Sequence, residues 1–330
     1  MTKVTVALDD IKTVSSKALI AHGADPWIAE EVANAVRKAE ATKNLICGLY
    51  YLESYCTQLV SGRVKGTVEP VVTKPRTASV KVDAQLGFAQ PAFSRGLGTA
   101  VEVAKEAGTC ALAICHSHTC TSLGYFTEQI AQAGMIGIGF TNASAIVSPP
   151  GGNKRVLGTN PMAMSIPAKD GGLAFQFDQS TSAVALGKIT MAAAAGESIP
   201  LGWAVDSEGN PTTDPKEAIA GSLVSTGGYK GYGFGLMVEI MAAALTGSVN
   251  SLDVKGLKLP DGPPHNLGQF YFIVDPTTFS DDLFWNRLSR LTEAVEEQPN
   301  ARLPGANKVL PTEVTIDAAV WDLANKLAAA

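Results

Sequence analysis

Five short apolar runs, several of them bounded by glycine, most tightly limit what this chain can form. They are "CALAIC", "MIGIGF", "PMAMSIP", "LAFQFD" and "QFYFIV". Runs of this kind read as buried strands. Helical patterns surround them. "ADPWIAEEVANAVRKAEA" offers Asp25 as a cap, Pro26 at the first helical position, and Glu30 and Glu31 in the first turns. Ile28, Val32 and Val36 then recur every four residues as one buried stripe. "LYYLESYCTQLV" places Leu49, Leu52, Cys56 and Leu59 on one face, and Gly62 follows as a stop. Further helices fit "AFSRGLGTAVEVAKEAG", "YFTEQIAQAG", "SAVALGKITMAAAAG", "KGYGFGLMVEIMAAALTG" and a closing "DDLFWNRLSRLTEAVEEQ". Helices at both ends with mixed α/β between them predict a helical domain built from both termini, with a sheet domain inserted.

Composition narrows the function. At 330 residues and 46% hydrophobic content, the chain can bury a sizeable core in one large domain or two. A net charge of −5 without basic stretches argues against a nucleic-acid partner. "MTKVTVALDD" lacks the apolar stretch of a signal peptide, and "LMVEIMAAAL" is too short to cross a bilayer and carries Glu239. Five cysteines, an odd number, predict reduced thiols and a cytoplasmic home.

The common cofactor and nucleophile signatures G-x-G-x-x-G, G-x-x-x-x-G-K-[ST] and G-x-S-x-G are absent. Other stretches carry the chemistry. "CHSHTC" crowds two cysteines and two histidines at 115–120, which raises a zinc site. "GGYKGYGFG" sets Lys230 at a helix start, where free backbone N–H groups suit a phosphate. "LGTNP" precedes a strand, and "FDQSTS" ends one in Asp178 followed by three hydroxyls. Ligands of α/β proteins gather at such strand ends. Taken singly, each stretch also fits an ordinary turn or cap.

Together, "SGRVKG", "VDAQLGFAQPA", "LGTNPMAMSIP", "FDQSTSAVALGKI", "IPLGWAVDSEGNPTTDP", "GGYKGYGFGLMVEIMAAALTG" and "RLPG" resemble, in order, the malate/L-lactate dehydrogenase-like family. This family is also called sulfolactate dehydrogenase-like or Ldh2/Mdh2. "GFAQPA" is most similar to its Δ1-piperideine-2-carboxylate/Δ1-pyrroline-2-carboxylate reductase branch. The resemblance implies an α/β, non-Rossmann, sulfolactate dehydrogenase-like fold, with a mixed, mostly antiparallel sheet domain inserted in a helical one. It places a helical, substrate and dimerisation domain at 1–114 plus 286–330, and a nicotinamide-binding sheet domain at 115–285. It implies NADPH or NADH as cofactor, a small-molecule substrate and a homodimer. Carried over by position, the cofactor would meet His118, Thr119, Cys120, Thr121 and Ser122, then Asp178, Gln179 and Ser180, then Lys230. Arg302, Pro304 and Gly305 in the segment reaching Lys308 would complete its site. Thr159 and Ser182 would face substrate. Lys154 and Arg155 are candidates for a 2′-phosphate.

The chain departs from the family at one motif. A family Ser-His-Gly, followed three residues later by Arg, falls on Ile46, Cys47, Gly48 and Tyr51. A proton-donating histidine has become Cys47, and a carboxylate-binding arginine has become Tyr51, which by its position would still contact substrate. A second family histidine falls on Thr119. "CHSHTC" becomes the cofactor loop, and no metal is expected. Strand alternation also predicts Cys115 and His116 on opposite faces. His118 is left as the best candidate acid, with Cys47 as a second.

A 2-oxo acid needs a proton donor as its carbonyl oxygen gains charge, whereas a cyclic ketimine can arrive protonated. The expectation is therefore an NAD(P)H-dependent reductase of Δ1-pyrroline-2-carboxylate or Δ1-piperideine-2-carboxylate, giving L-proline or L-pipecolate. The alternatives are a malate, L-lactate or ureidoglycolate type of 2-hydroxy acid dehydrogenase, and a weakly catalytic cofactor-binding paralogue.

Overall fold

The computed structural model describes residues 2–305 and 310–330. In chain order the elements open with β1 (Lys3–Ala7), α1 (Leu8–Ala21), α2 (Pro26–Ala41) and α3 (Leu49–Val60). Next come β2 (Val71–Arg76), β3 (Ser79–Asp83), α4 (Ala89–Ala107), β4 (Thr109–Ser117), α5 (Gly124–Gln132) and β5 (Ile136–Thr141). β6 (Met162–Pro167), β7 (Leu173–Gln179), α6 (Leu186–Ala195), β8 (Ala204–Val205), α7 (Pro215–Ala220) and β9 (Ser222–Leu223) follow. The chain closes with α8 (Tyr229–Glu239), β10 (Leu267–Val274), α9 (Leu283–Glu296), β11 (Glu313–Asp317) and α10 (Ala318–Ala328).

The main sheet has seven strands in the order β2-β3-β4-β10-β5-β6-β7. Only β3 and β4 run parallel; the other neighbours are antiparallel. A parallel pair needs a crossover, and α4 provides it. Phe93, Ala100, Val103 and Ala104 of α4, with Phe126 and Ile130 of α5, bury one sheet face against Val82, Leu112, Ile114 and Tyr271. Val238, towards the end of α8, packs on the other face against Phe140 and Phe270. All five glycine- and proline-punctuated runs are strands of this sheet.

A second core joins the two ends of the chain. β1 pairs antiparallel with β11, and Ile11, Leu19, Val32, Leu52 and Tyr55 pack together with Ile316 and Ala324. A helical body built from both termini is therefore present. The sheet, however, starts well before residue 115, because β2 and β3 lie at 71–83 and β4 begins at Thr109. "VVTKPR" carries no strand signal in the sequence because it forms an exposed edge hairpin with a proline and no apolar run. The expected closing helix is α9, but it has no buried residue, and the true last helix is α10. Asp25 does sit at the start of α2, yet its side chain makes no capping hydrogen bond. The helix expected from "SAVALGKI" begins only at Leu186, because Ser182 and Ala183 are tied to neighbouring segments.

Candidate active site

The turn that presents Cys47 is fixed from below. A short 3₁₀ turn spans Leu45–Cys47 between α2 and α3. The buried Glu40 carboxylate accepts the Leu49 N–H at 2.8 Å, and it fills the space where a Cβ on Gly48 would go. A side chain there would have to displace the Glu40 carboxylate. The Cys47 thiol lies near the side chains of Asn44 and Thr121. Burial, and then the charge of Asp178, pushes its thiol up to about 12. It is a protonated thiol at neutral pH. Tyr51 lies one turn into α3, and its hydroxyl donates to the Leu257 carbonyl at 3.0 Å. The expected substrate contact at Tyr51 is thus already engaged within the protein.

"CHSHTC" does not follow strand alternation. The β4–β10 register shifts beside Gly268, and His116 takes a left-handed φ of 52°. This bulge brings Cys115, His116 and Asp83 together, with ligand atoms all within 4.8 Å, so Cys115 and His116 do not point to opposite faces as expected. The Cys115 thiol donates to the Val82 carbonyl at 3.6 Å, and His116 Nδ1 lies 3.0 Å from Asp83 Oδ1.

His118 turns inward. Its Nε2 lies 2.6 Å from Gln58 Oε1, its Nδ1 has no partner, and its ring stacks on His265 with centroids 3.9 Å apart. Tyr55 and Phe88 pack around it. Burial, and then the charges of His265 and Arg63, push its pKa well below the usual value. It is a buried, neutral imidazole, an environment that weighs against a general acid at this position. Thr119 is buried and donates its N–H to His265 Nδ1 at 3.2 Å. Cys120 is also buried. Only at Thr121, with φ 62°, does the loop turn back toward Cys47.

Asp178 closes β7 against the start of α5. Its Oδ2 accepts the Gly124 N–H at 2.7 Å and the Ser122 hydroxyl at 3.2 Å, an anion held at a helix N-terminus. The residue as a whole is exposed, but its carboxyl is crowded by neighbouring groups, and that crowding raises its pKa. A shallow cleft of about 180 Å³ runs past Asn44, Ser122, Gly124, Tyr125, Gln176 and Asp178. "RLPG" reaches the same strand. The Gln176 N–H donates to the Pro304 carbonyl at 2.9 Å, and Gly305, at φ 70°, sits so close that a Cβ would lie 2.8 Å from the Gln176 carbonyl. Arg302 is exposed. Ala306, Asn307 and Lys308, also expected here, lie outside the described residues.

Beyond Asp178 the strand end is knit to its neighbours. Gln179 is exposed, and the Ser180 hydroxyl bonds to Ser182. The Ser182 hydroxyl donates to the Val184 carbonyl at 2.9 Å, which engages it in the turn rather than leaving it open to substrate. Thr181 donates its N–H and its hydroxyl to the Thr159 carbonyl at 2.9 and 3.1 Å, joining "GTNP" to "DQSTS". The next residue, Asn160, is fully buried and donates to Glu239 at 2.8 Å and to the Gly235 carbonyl at 3.1 Å. The Thr226 N–H donates to the Thr181 carbonyl at 2.9 Å, four residues before Lys230, which stands exposed in the first turn of α8. Ser122, Asp178, Gly305, Thr159 and Lys230 thus lie along one connected frame. Arg155 does not join it, because its guanidinium holds the carbonyls of Ile219 at 2.6 Å and Gly221 at 2.7 Å.

A larger apolar cleft of about 630 Å³ opens beside the Cys47 turn, lined by Ile46, Tyr50, Leu186, Gly187, Met191 and Lys258. Lys258 was not legible in the sequence, since no motif includes it and the segment around it reaches the cleft only by long-range contacts.

The family model for malate/L-lactate dehydrogenase matches residues 6–319. The chain belongs to that family. It is an oxidoreductase, and the family fits a nicotinamide cofactor. A (2R)-3-sulfolactate dehydrogenase (NADP(+)) of Chromohalobacter salexigens is 38% identical over 92% of this chain and 90% of its own length. A Δ1-pyrroline-2-carboxylate reductase of Ancylobacter novellus is 35% identical, again over 92% and 90%. The crystal structure of Δ1-piperideine-2-carboxylate reductase from Pseudomonas syringae superimposes with a TM-score of 0.91 at 30% identity, covering 98% of this chain and 99% of that one. The mostly antiparallel sheet and the terminal helical body are therefore features of the family fold.

Proposed function

We propose that the chain reduces a cyclic ketimine acid, Δ1-pyrroline-2-carboxylate or Δ1-piperideine-2-carboxylate, to L-proline or L-pipecolate with NADPH or NADH. The observation that carries this reading is the chemistry around Cys47. The thiol there holds its proton until about pH 12, and His118 lies sealed in the core. A carbonyl reductase needs an acid at this place. A ketimine nitrogen can bring its own proton, so the ring accepts hydride at C2 and its π electrons settle on nitrogen as a neutral amine.

The cofactor's place follows the connected frame. Asp178 and Ser122 suit a ribose diol, Lys230 at the start of α8 suits a phosphate, and Gln179, Ser180 and the 302–305 segment complete the wall. The close approach of Gly124 to Asp178 and of Gly305 to Gln176 supports such a cradle, since a side chain at either would crowd it. When bound, the reduced nicotinamide supplies the hydride. Cys47 and Thr121 then border the reacting ring, and Thr159 stands beside it on its fixed carbonyl.

A second reading, a 2-hydroxy acid dehydrogenase, draws on the sulfolactate dehydrogenase relative. Rates of NADPH and NADH oxidation against a panel of cyclic imino acids and 2-oxo acids separate the two. Turnover of ketimines supports the first reading, and turnover restricted to oxo acids replaces it with the second.

We also infer a homodimer with a cytoplasmic home. Phe234, Met237, Ile240 and Leu245 leave an apolar stripe exposed along α8 and its extension, which a second copy of the chain would cover. All five cysteines are free thiols. Among the described residues, no helix is long and apolar enough to cross a membrane. Light scattering that gave a monomer mass would remove the dimer.

A further inference from the structure

The loop carrying Lys258 is clamped unusually firmly for an exposed segment. Arg63, fully buried, donates to the carbonyls of Gly256 at 2.9 Å, Leu259 at 2.7 Å and Pro263 at 2.9 Å. Gln58 donates to the carbonyls of Leu257 at 2.9 Å and Leu259 at 2.7 Å, and Tyr51 adds its own bond to Leu257. Both neighbours of Lys258 are therefore fixed to α3 and the turn after it. A lysine on a free loop samples many positions, whereas this one is aimed.

Its ammonium lies 3.8 Å from the ring centroid of Tyr50 and 5.1 Å from that of Tyr51. A cation held over aromatic faces is attracted to them without being neutralised. The cleft around it is otherwise walled mainly by Leu45, Ile46, Leu186, Met191 and Val320. The other lysine of the cleft, Lys3, is paired with Asp317 at 2.8 Å. Among the described residues, Lys258 has no carboxylate partner. Glu40 also reaches the cleft, but burial raises its pKa and the Leu49 N–H engages one of its oxygens, so the aimed Lys258 cation in an otherwise apolar pocket fits a small organic acid with a hydrocarbon ring.

We propose that Lys258 is the anchor for the substrate carboxylate, seated on Tyr50 and Tyr51 at the mouth of the Ile46–Leu186 cleft. The assignment rests on the ketimine acid reading for the identity of the ring, but not for the presence of the carboxylate. Partial burial lowers the Lys258 pKa, so its ammonium is less well hydrated and gains more from a bound anion. The adjacent Cys47 places the ring beside the turn that borders the cofactor cleft.

The test uses the full chain and its Lys258→Gln and Lys258→Arg variants, with unchanged melting temperature as the check of fold. Calorimetry with pyrrole-2-carboxylate, a flat analogue that cannot be reduced, measures binding in the presence of cofactor. Lys258→Gln should weaken that binding by about tenfold to a hundredfold, and Lys258→Arg should recover most of it. Cofactor affinity should stay the same in both variants. Steady-state kinetics then compare Δ1-piperideine-2-carboxylate with Δ1-piperideine, which lacks the carboxylate. Lys258→Gln should raise KM for the acid by a similar factor, keep kcat within about threefold, and leave KM for the carboxylate-free imine unaffected. Analogue binding that is equal in Lys258→Gln and the unmodified protein overturns the anchor. Loss of analogue binding without ketimine turnover in the unmodified protein keeps the anchor and overturns the ketimine reading instead.

Discussion

The imidazole of His118 lies face to face with that of His265, centroids 3.9 Å apart and planes 17° from parallel. Two protonated rings could not occupy this arrangement. Burial lowers both pKa values, that of His265 to about 3. The Thr119 N–H donates to His265 Nδ1, which sets the His265 proton on Nε2. The pair is a neutral structural unit beneath the cofactor loop. His118→Ala should lower stability by about 2–4 kcal/mol. It should reduce kcat per folded molecule by less than about tenfold, well short of the loss of a general acid. Denaturant unfolding together with kinetics on the folded fraction checks both. A thousandfold fall in kcat with stability intact would make His118 the proton donor.

The same pair sets an acid limit on stability. In the unfolded chain these histidines titrate near the usual value of about 6.5, but in the folded protein they stay neutral to much lower pH. Below that unfolded value the unfolded state binds more protons, so stability falls as pH drops. The loss runs from about pH 6.5 down toward the folded value of His265 near 3. Each such group steepens the fall by at most about 1.4 kcal/mol per pH unit. His265→Gln should flatten the melting-temperature curve between pH 4 and 6 relative to its value at pH 7.5. An equally steep curve in the variant would assign the acid sensitivity elsewhere.

Lys230 stands in the first turn of α8 with its ammonium exposed. Lys230→Ala should weaken nicotinamide cofactor binding by about 1.5–3 kcal/mol, the worth of a charge-assisted hydrogen bond. The effect should shrink at high salt, because an exposed cation is screened. A dissociation constant that does not change at moderate salt removes Lys230 from the cofactor site.

A metal reading of "CHSHTC" is tested by chelation. Asp83, Cys115 and His116 come within ligand distance of one another, but the thiol and the imidazole are already engaged with Val82 and Asp83. Protein treated with a strong chelator should keep its melting temperature and its activity. Stoichiometric zinc lost together with activity would make these three residues a metal centre.

The part of the fold written in periodic apolar runs was legible in the sequence. β4, β5, β6, β7 and β10 each carry such a run, and α2, α3, α4 and α5 each carry a helical stripe. β2, β3 and the chain-end pair β1–β11 were not, since their outward residues are polar and their pairing joins distant segments. The site divided in the same way. Asp178, Ser122, Lys230 and Gly305, which the fold brings along one frame, stand in motifs that mark them in the sequence. The inward turn of His118 was not legible because the bulge at His116 resets which residues face inward, and no residue pattern announces a left-handed φ at a histidine. Arg63 and Lys258 were invisible because their meaning lies in contacts far apart along the chain, such as that from Arg63 to Gly256, 193 residues away.

Cys47 carries the central claim that no side chain at the site must donate the proton. Its thiol stays protonated to about pH 12, so it gives up a proton poorly at neutral pH. The most direct measurement is the pH dependence of kcat/KM for Δ1-piperideine-2-carboxylate in the unmodified protein and in Cys47→Ala. The account predicts two parallel profiles less than about tenfold apart, both falling as pH rises through the ionisation of the imine itself. A limb present in the unmodified protein and missing in Cys47→Ala, or a loss of a thousandfold at all pH values, would contradict it and make Cys47 the acid.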